Sequence, residues 1–238
     1  MADQTDQLPL GLSDPRPWGV TCGLDEVGRG ALAGPLVAAA VVLPCDIHER
    51  LGRSARFLRD SKTVPRPHRE ELAALIQRHA VACEIATISV PDINRRGIGW
   101  ANGEAFRRLI EAVEADEYVV DGRVRPPAPP HRAARVRCLV GADALISAVA
   151  AASLVAKVFR DRLMYQLHAA DPRFSWDRNV GYGTAVHLAA LRAHGPTAEH
   201  RLIFVATALG EGRQARTRPA AGTSPLILLA PDGGYDQQ

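Results

Sequence analysis

One stretch near the start of this 238-residue chain constrains everything after it. An apolar run, Val20 to Leu24, meets two adjacent carboxylates, Asp25 and Glu26. A glycine turn follows through Gly28, Arg29, Gly30 and Gly34-Pro35, and a second apolar run covers Leu36 to Leu43. The pattern reads as strand, loop, strand, with the acid pair where the first strand ends. Adjacent strand residues point to opposite faces, so Asp25 and Glu26 cannot both lie flat on one surface. Two charges beside backbone freed by Gly28 and Gly30 mark a site for metal and phosphate.

Length and composition bound what can surround that site. A chain this long, 47% apolar, can bury a substantial core in one domain or one domain plus an appendage. The net charge of +3 gives no global basic field, so any nucleic-acid surface must be a local patch. Lysine occurs only at Lys62 and Lys157. Cys22, Cys45, Cys83 and Cys138 form no C-x-x-C pair and sit among apolar neighbours, so buried reduced thiols are expected. Residues 1–14 lack the basic and apolar regions of a signal peptide, and no apolar run reaches membrane-spanning length. A soluble, cytoplasmic protein is expected.

In chain order, residues 1–17 read as a flexible lead. Strands are expected over Gly19–Leu24, Leu36–Leu43, Val81–Val90, Glu117–Asp121 and Ala134–Val140. Helices are expected from Pro65, over Ala101–Ala115, over Ala144–His168 and over Ala185–Ala193. Asp171–Asn179 reads as a loop, and 209–238 as a disordered tail whose Leu226–Leu229 patch is a candidate docking peptide. The order describes an α/β chain: a five-stranded mixed sheet flanked by helices, strands one to three as an antiparallel meander, and a helical extension over about residues 160–206. The arm from Arg123 to Arg137, rich in proline and arginine, is either a local basic patch or a solvated loop.

Four carboxylates could carry chemistry: Asp25, Glu26, Asp121 and Asp143. Singly, Asp121-Gly122 is a turn dipeptide and Asp143 a helix N-cap. Together they form a sufficient oxygen set for hard divalent cations, which use few carboxylates plus substrate phosphate. None of the eight histidines makes an H-x-x-x-H pair, which disfavours a zinc hydrolase. A dinucleotide-binding turn is also disfavoured, because Pro35 and a β-rich run follow it rather than a helix. The expectation is a metal-dependent nuclease.

The residues Gly23-Leu24-Asp25-Glu26-Val27-Gly28-Arg29-Gly30 with Leu32-Ala33-Gly34-Pro35 resemble the signature of bacterial ribonuclease HII. The resemblance continues through Asp60-Ser61-Lys62, Val120-Asp121-Gly122, Ala150 to Lys157 with Arg160-Asp161-Arg162, Gly181-Tyr182-Gly183-Thr184 with His187, and His200-Arg201. It implies a ribonuclease H-like fold over about residues 18–208 and endonucleolytic cleavage of RNA in RNA–DNA hybrids. Incision 5′ to ribonucleotides embedded in duplex DNA is also implied, by two-ion hydrolysis with Mn²⁺ or Mg²⁺. The family's metal-binding acids map to Asp25, Glu26, Asp121 and Asp143. Its turn at Gly28, Arg29 and Gly30 reads the ribose 2′-hydroxyl, the group that distinguishes RNA from DNA. Tyr182 matches the tyrosine that packs on the neighbouring deoxyribose, and Lys62, Ser153 and Lys157 fall at substrate-binding positions. For the last two, a hydroxyl bonded back to its own helix and a solvated lysine are the plain alternatives. Here Val180 stands where the family often has lysine, and Val140-Gly141-Ala142 precedes Asp143. The sister ribonuclease HIII carries an N-terminal domain for which about 17 residues are too few. A catalytically silent hybrid-binding module is the alternative from another class, and a monomer is the expected state.

Overall fold

The computed structural model describes residues 19–58 and 65–210. Residues 1–17, Lys62 and the patch at Leu226–Leu229 lie outside it. A five-stranded sheet in the order β3-β2-β1-β4-β5 carries the fold. Strands β1 (Thr21–Val27), β2 (Leu36–Val42) and β3 (Ala82–Ile88) form the antiparallel meander, while β4 (Glu117–Asp121) runs parallel to β1 and β5 (Val136–Leu139) parallel to β4. Strand β2 is buried at every position, because helices cover both faces of the sheet.

The alternation of side chains sorts the core into two layers. On one face Cys22, Leu24, Ala38, Ala40, Tyr118 and Val120 pack against Ala105, Phe106, Leu109 and Ile110. On the other, Val37, Ala39 and Val41 meet Leu72 and Ile76 together with Ala151, Ala152 and Val155. The first layer's helices are α3 (Val90–Arg96) and α4 (Ile98–Ala112). The second layer's are α1 (Ile47–Leu51), α2 (Arg66–His79) and the long helix Ser147–Ala170. That long helix crosses β1 at close range. A Cβ built on Gly23 would stand 2.2 Å from the carbonyl carbon of Ala148 and the amide nitrogen of Val149, so only glycine permits the approach.

Several boundaries differ from the sequence reading. Strand β1 continues to Val27, so Asp25 and Glu26 lie inside it and not past its end. Strand β3 stops at Ile88, because the Ser89 hydroxyl accepts from the Asp92 amide and starts α3 at Val90. Between β4 and β5 lies the short α5 (Pro130–Ala133). The helix expected from Ala144 is two pieces, α6 (Ala142–Leu145) and α7 (Ser147–Ala170), separated by Ile146 in extended backbone. The stretch expected as a loop holds a 3₁₀ turn at Pro172–Phe174 and α8 (Trp176–Asn179), followed by α9 (Ala185–His194) and α10 (Leu202–Ala208).

Four arginines of the Pro/Arg arm are engaged by neighbouring groups, with Arg135 and Arg137 still exposed beside their partners. Arg132 donates to the carbonyls of Ile110, Glu111 and Val113 and pairs with Glu114. Arg135 reaches Ala115 and Glu114, Arg125 bonds the carbonyls of Ala133 and Val136, and Arg137 pairs with Glu117. Arg132 and Arg135 satisfy carbonyls left over at and just past the C-terminal end of α4, where the helix dipole favours a cation. Cys22 is buried and Cys83 and Cys138 are half-buried, but Cys45 is exposed just beyond β2, where the chain leaves the sheet.

Candidate active site

Sheet register brings the acids together. Leu24 of β1 lies beside Val120 of β4 in a parallel pair, so one step further along both strands sets Asp25 beside Asp121. Both point toward α7, since Leu24 and Val120 belong to the opposite layer. Glu26 follows on the other parity, and its amide donates to Asp25 Oδ1 at 2.8 Å. Asp121 Oδ1 accepts from the Ala142 amide at 2.9 Å, which ties the end of β4 to the start of α6. Asp143 is therefore the second residue of that helical turn, not a cap on the long helix. The cap position is Gly141, in left-handed backbone.

Asp25 is only 8% exposed. Burial pushes its carboxyl up to about 7. The Ser153 hydroxyl of α7 opposes that shift by hydrogen bonding, and the neighbouring charges of Glu26 and Asp121 add to it. Glu26 is also raised by burial, with Arg29 lowering it and Asp121 raising it. The Arg29 guanidinium stands 3.6 Å from Glu26. Among the described residues no three histidine, cysteine, aspartate or glutamate side chains converge into a closed metal cage. The donor set nonetheless fits a hard cation. Asp25, Glu26 and Asp121 are coupled oxygen donors whose mutual repulsion a divalent ion would relieve, and Mg²⁺ takes one or two carboxylates with water and substrate phosphate.

The other expected residues fall around this group. Ser153 does not bond back to its own helix as its main role; it supports Asp25. Lys157 is paired while its side chain stays partly exposed: its ammonium donates to both oxygens of Asp161, at 2.6 and 2.7 Å. Tyr182 is 37% exposed, with the Arg160 guanidinium 5.7 Å from its ring centre. Gly28 has φ +85°, whereas Gly30 lies outside the left-handed region, and a Cβ on Gly30 would meet nothing within 4 Å. Val180 adopts φ 42°, unusual for a β-branched residue, and directs its carbonyl to Arg160.

Sequence reasoning assigned no role to the residues beneath the turn. Arg160 and Arg201 are fully buried; arginine in a polar string ordinarily reads as surface. His187 and His200 are buried too, with Nε2 atoms 3.2 Å apart. The Trp176 indole N–H donates to His187 Nε2, while His187 Nδ1 holds the Tyr182 carbonyl at 2.9 Å. Their presence in the quoted motifs was the available signal; their burial was not visible.

This sheet order, with acids toward the C-terminal ends of two neighbouring central strands beside a covering helix, is that of a nuclease of the ribonuclease H-like fold. The sequence profile described as ribonuclease HII matches residues 22–207. The ribonuclease HII of Paramagnetospirillum magneticum is 46% identical over 197 residues, covering 80% of this chain and 92% of its own. That of Burkholderia thailandensis is 43% identical over 190 residues, covering 79% and 84%. Among solved structures, the ribonuclease HII of Archaeoglobus fulgidus in complex with PCNA superposes with a TM-score of 0.64 at 26% identity, covering 77% of this chain and 94% of that one. The chain belongs to the ribonuclease HII family, and is an endoribonuclease acting on RNA–DNA hybrids.

Proposed function

We propose that this chain incises duplex DNA on the 5′ side of embedded ribonucleotides, as well as the RNA strand of hybrids, leaving 3′-hydroxyl and 5′-phosphate ends. Removal of ribonucleotides from DNA is the corresponding role. The observation that carries this reading is the coupled group of Asp25, Glu26 and Asp121 one turn of chain away from Gly28-Arg29-Gly30. Asp25, Glu26, Asp121 and Asp143 would hold two divalent ions, Mg²⁺ or Mn²⁺, which when bound neutralise charge at the scissile phosphate and lower the pKa of an attacking water.

The chain's own residues divide the remaining work. Ser153 orients Asp25, and Asp121 fixes α6 and with it Asp143. Gly28, Arg29 and Gly30 take the ribose 2′-hydroxyl, because glycine lets backbone approach a sugar closely. Tyr182 packs against the adjacent sugar, and Lys62 and Lys157 serve the phosphates as substrate-binding residues, Lys157 after yielding Asp161. The catalytic unit spans residues 18–208, acts as a soluble cytoplasmic monomer, and has nucleic acid as its partner. Among the described residues no helix is long and apolar enough to cross a membrane.

The test is incubation with duplex DNA containing one ribonucleotide, with EDTA, Mg²⁺ or Mn²⁺. Incision 5′ to the ribonucleotide with either ion is expected. Binding without incision under both ions would favour the silent hybrid-binding module instead.

A further inference from the structure

Two fully buried guanidiniums underlie the turn at residues 28–35, and among the described residues every hydrogen bond they donate goes to a main-chain carbonyl. Arg201 donates from Nη1 to Gly28 O at 2.6 Å and Arg29 O at 3.1 Å, and from Nε and Nη2 to Gly34 O at 3.0 and 2.8 Å. Arg160 donates to Pro35 O at 3.0 Å, Ala33 O at 3.0 Å and Val180 O at 2.8 Å. Arg201 thus ties the two halves of one loop together, and Arg160 holds its second half and the segment before Tyr182. Burying two like charges with no carboxylate between them costs stability. Such a cost at a single loop points to function.

The geometry explains what is gained. A trans peptide is planar, with its C=O and N–H pointing in opposite directions. With the carbonyls of Gly28 and Arg29 drawn inward onto Arg201, the amides of Arg29 and Gly30 face outward. Neither amide donates to another described residue, whereas the next one, Ala31, is used internally by Gly28 O at 3.3 Å. Two adjacent outward N–H groups form a concave donor pair for an oxygen. A β-bridge between Ala33 and His200, and the Arg201 amide bonded to Leu32 O at 2.8 Å, lock the clamp's own backbone to the loop it holds.

We propose that Arg201 is the positioning residue for ribose selectivity: by fixing two successive peptide planes it aims the Arg29 and Gly30 amides at the 2′-hydroxyl oxygen. This rests on the reading of the turn as the ribose sensor. Lysine at 201 keeps the charge but lacks the planar fork, so it cannot hold three carbonyls in one plane.

The experiment measures, with Mn²⁺, kcat and KM on duplex DNA with one ribonucleotide, and Ki for the same duplex in all-DNA form as competitor. Circular dichroism monitors folding. For Arg201→Lys, KM for the ribonucleotide duplex is expected to rise at least tenfold with Ki of the all-DNA duplex unchanged within twofold. A general loss of structure would move both. Gly30→Ala, which meets open space within the protein, is the reference and is expected to lose the same selectivity. A folded Arg201→Lys that keeps the wild-type Ki to KM ratio while Gly30→Ala loses it overturns the positioning role alone. A Gly30→Ala that keeps the ratio overturns the sensor reading beneath it. If Arg201→Lys does not fold, ¹⁵N NMR of the wild-type protein decides. The Arg201 Nε–H signal is expected to move on titration with the ribonucleotide duplex and not with the all-DNA duplex; an immobile signal, or equal movement with both, refutes the proposal.

Discussion

Substituting Gly23 by alanine probes the link between packing and chemistry most directly. The added Cβ would lie 2.2 Å from two backbone atoms of α7 and 2.5 Å from the Ala148 carbonyl oxygen. Carbon atoms pack at about 3.5–4.0 Å, so relieving the clash takes a separation of helix and strand of roughly 1.5 Å. No flexible side-chain end is available to give way. Overpacking of this kind costs about 1–3 kcal/mol, which for a protein of this size is a Tm loss of roughly 2–12 °C. The larger effect falls on catalysis. Helix α7 carries Ser153, which supports Asp25, and Arg160, which holds the glycine loop. A displacement of about 1 Å in a reacting geometry costs on the order of 100-fold in rate. Calorimetry paired with single-turnover incision of a one-ribonucleotide duplex would measure both. If Gly23→Ala matches the wild type in Tm and rate, the close approach of α7 to β1 is not what places the site.

Asp25→Asn should abolish incision while raising the stability of the metal-free protein at alkaline pH. Asp25's folded pKa of about 7 lies above its ordinary 3.8, so its stabilising contribution is complete below about pH 4 and lost as pH rises through 7. The upper bound is ~4 kcal/mol, at about 1.4 kcal/mol per pH unit. His200 has the opposite slope: burial lowers its pKa from 6.5 to about 4, so it destabilises on acidification below pH 6.5. Glu26 is also raised and His187 also lowered, so it is the difference in slope between wild type and Asp25→Asn, in a Tm scan from pH 6.5 to 8.5 in EDTA, that isolates Asp25. An equal slope in the two would refute the assignment. Ser153→Ala removes a donor to Asp25 and should raise the Mn²⁺ concentration for half-maximal activity about tenfold or more; an unchanged metal titration would return Ser153 to a packing role. Tyr182→Ala should lose activity selectively at single-ribonucleotide junctions, and an equal loss on long hybrids would count against its discriminating role.

The parts of this fold legible in the sequence are those that depend on local pattern. The apolar runs at Val20–Leu24 and Leu36–Leu43 and the short Tyr118-Val119-Val120 segment gave β1, β2 and β4, and the acid pair marked the site. Helix α3 was hidden because Val90 continues an apolar stretch, and only the Ser89 cap turns it into a helix. The break at Ile146 is marked by no glycine or proline, and no side chain caps the helix that begins at Ser147. What could not be read at all was long-range polar partnership. Arg132 and Arg135 look like a basic surface until α4 supplies its terminal carbonyls, and Arg160 and Arg201 look solvated until a distant loop folds over them. Charge in a sequence shows where a cation is, not which carbonyls surround it.

The clamp joins residues 172 and 173 positions apart. All four acids precede Arg201 in the order of synthesis, and the clamp on the turn is complete only when Arg201 has docked. Closing so long a loop is entropically costly, so this contact belongs to the late events of folding. A chain cut between His194 and His200 would retain the acid-bearing strands and the whole of α7 while lacking the element that shapes its selectivity. Proteolysis and premature termination in that interval would therefore tend to disarm the recognition of ribose before they remove the acids.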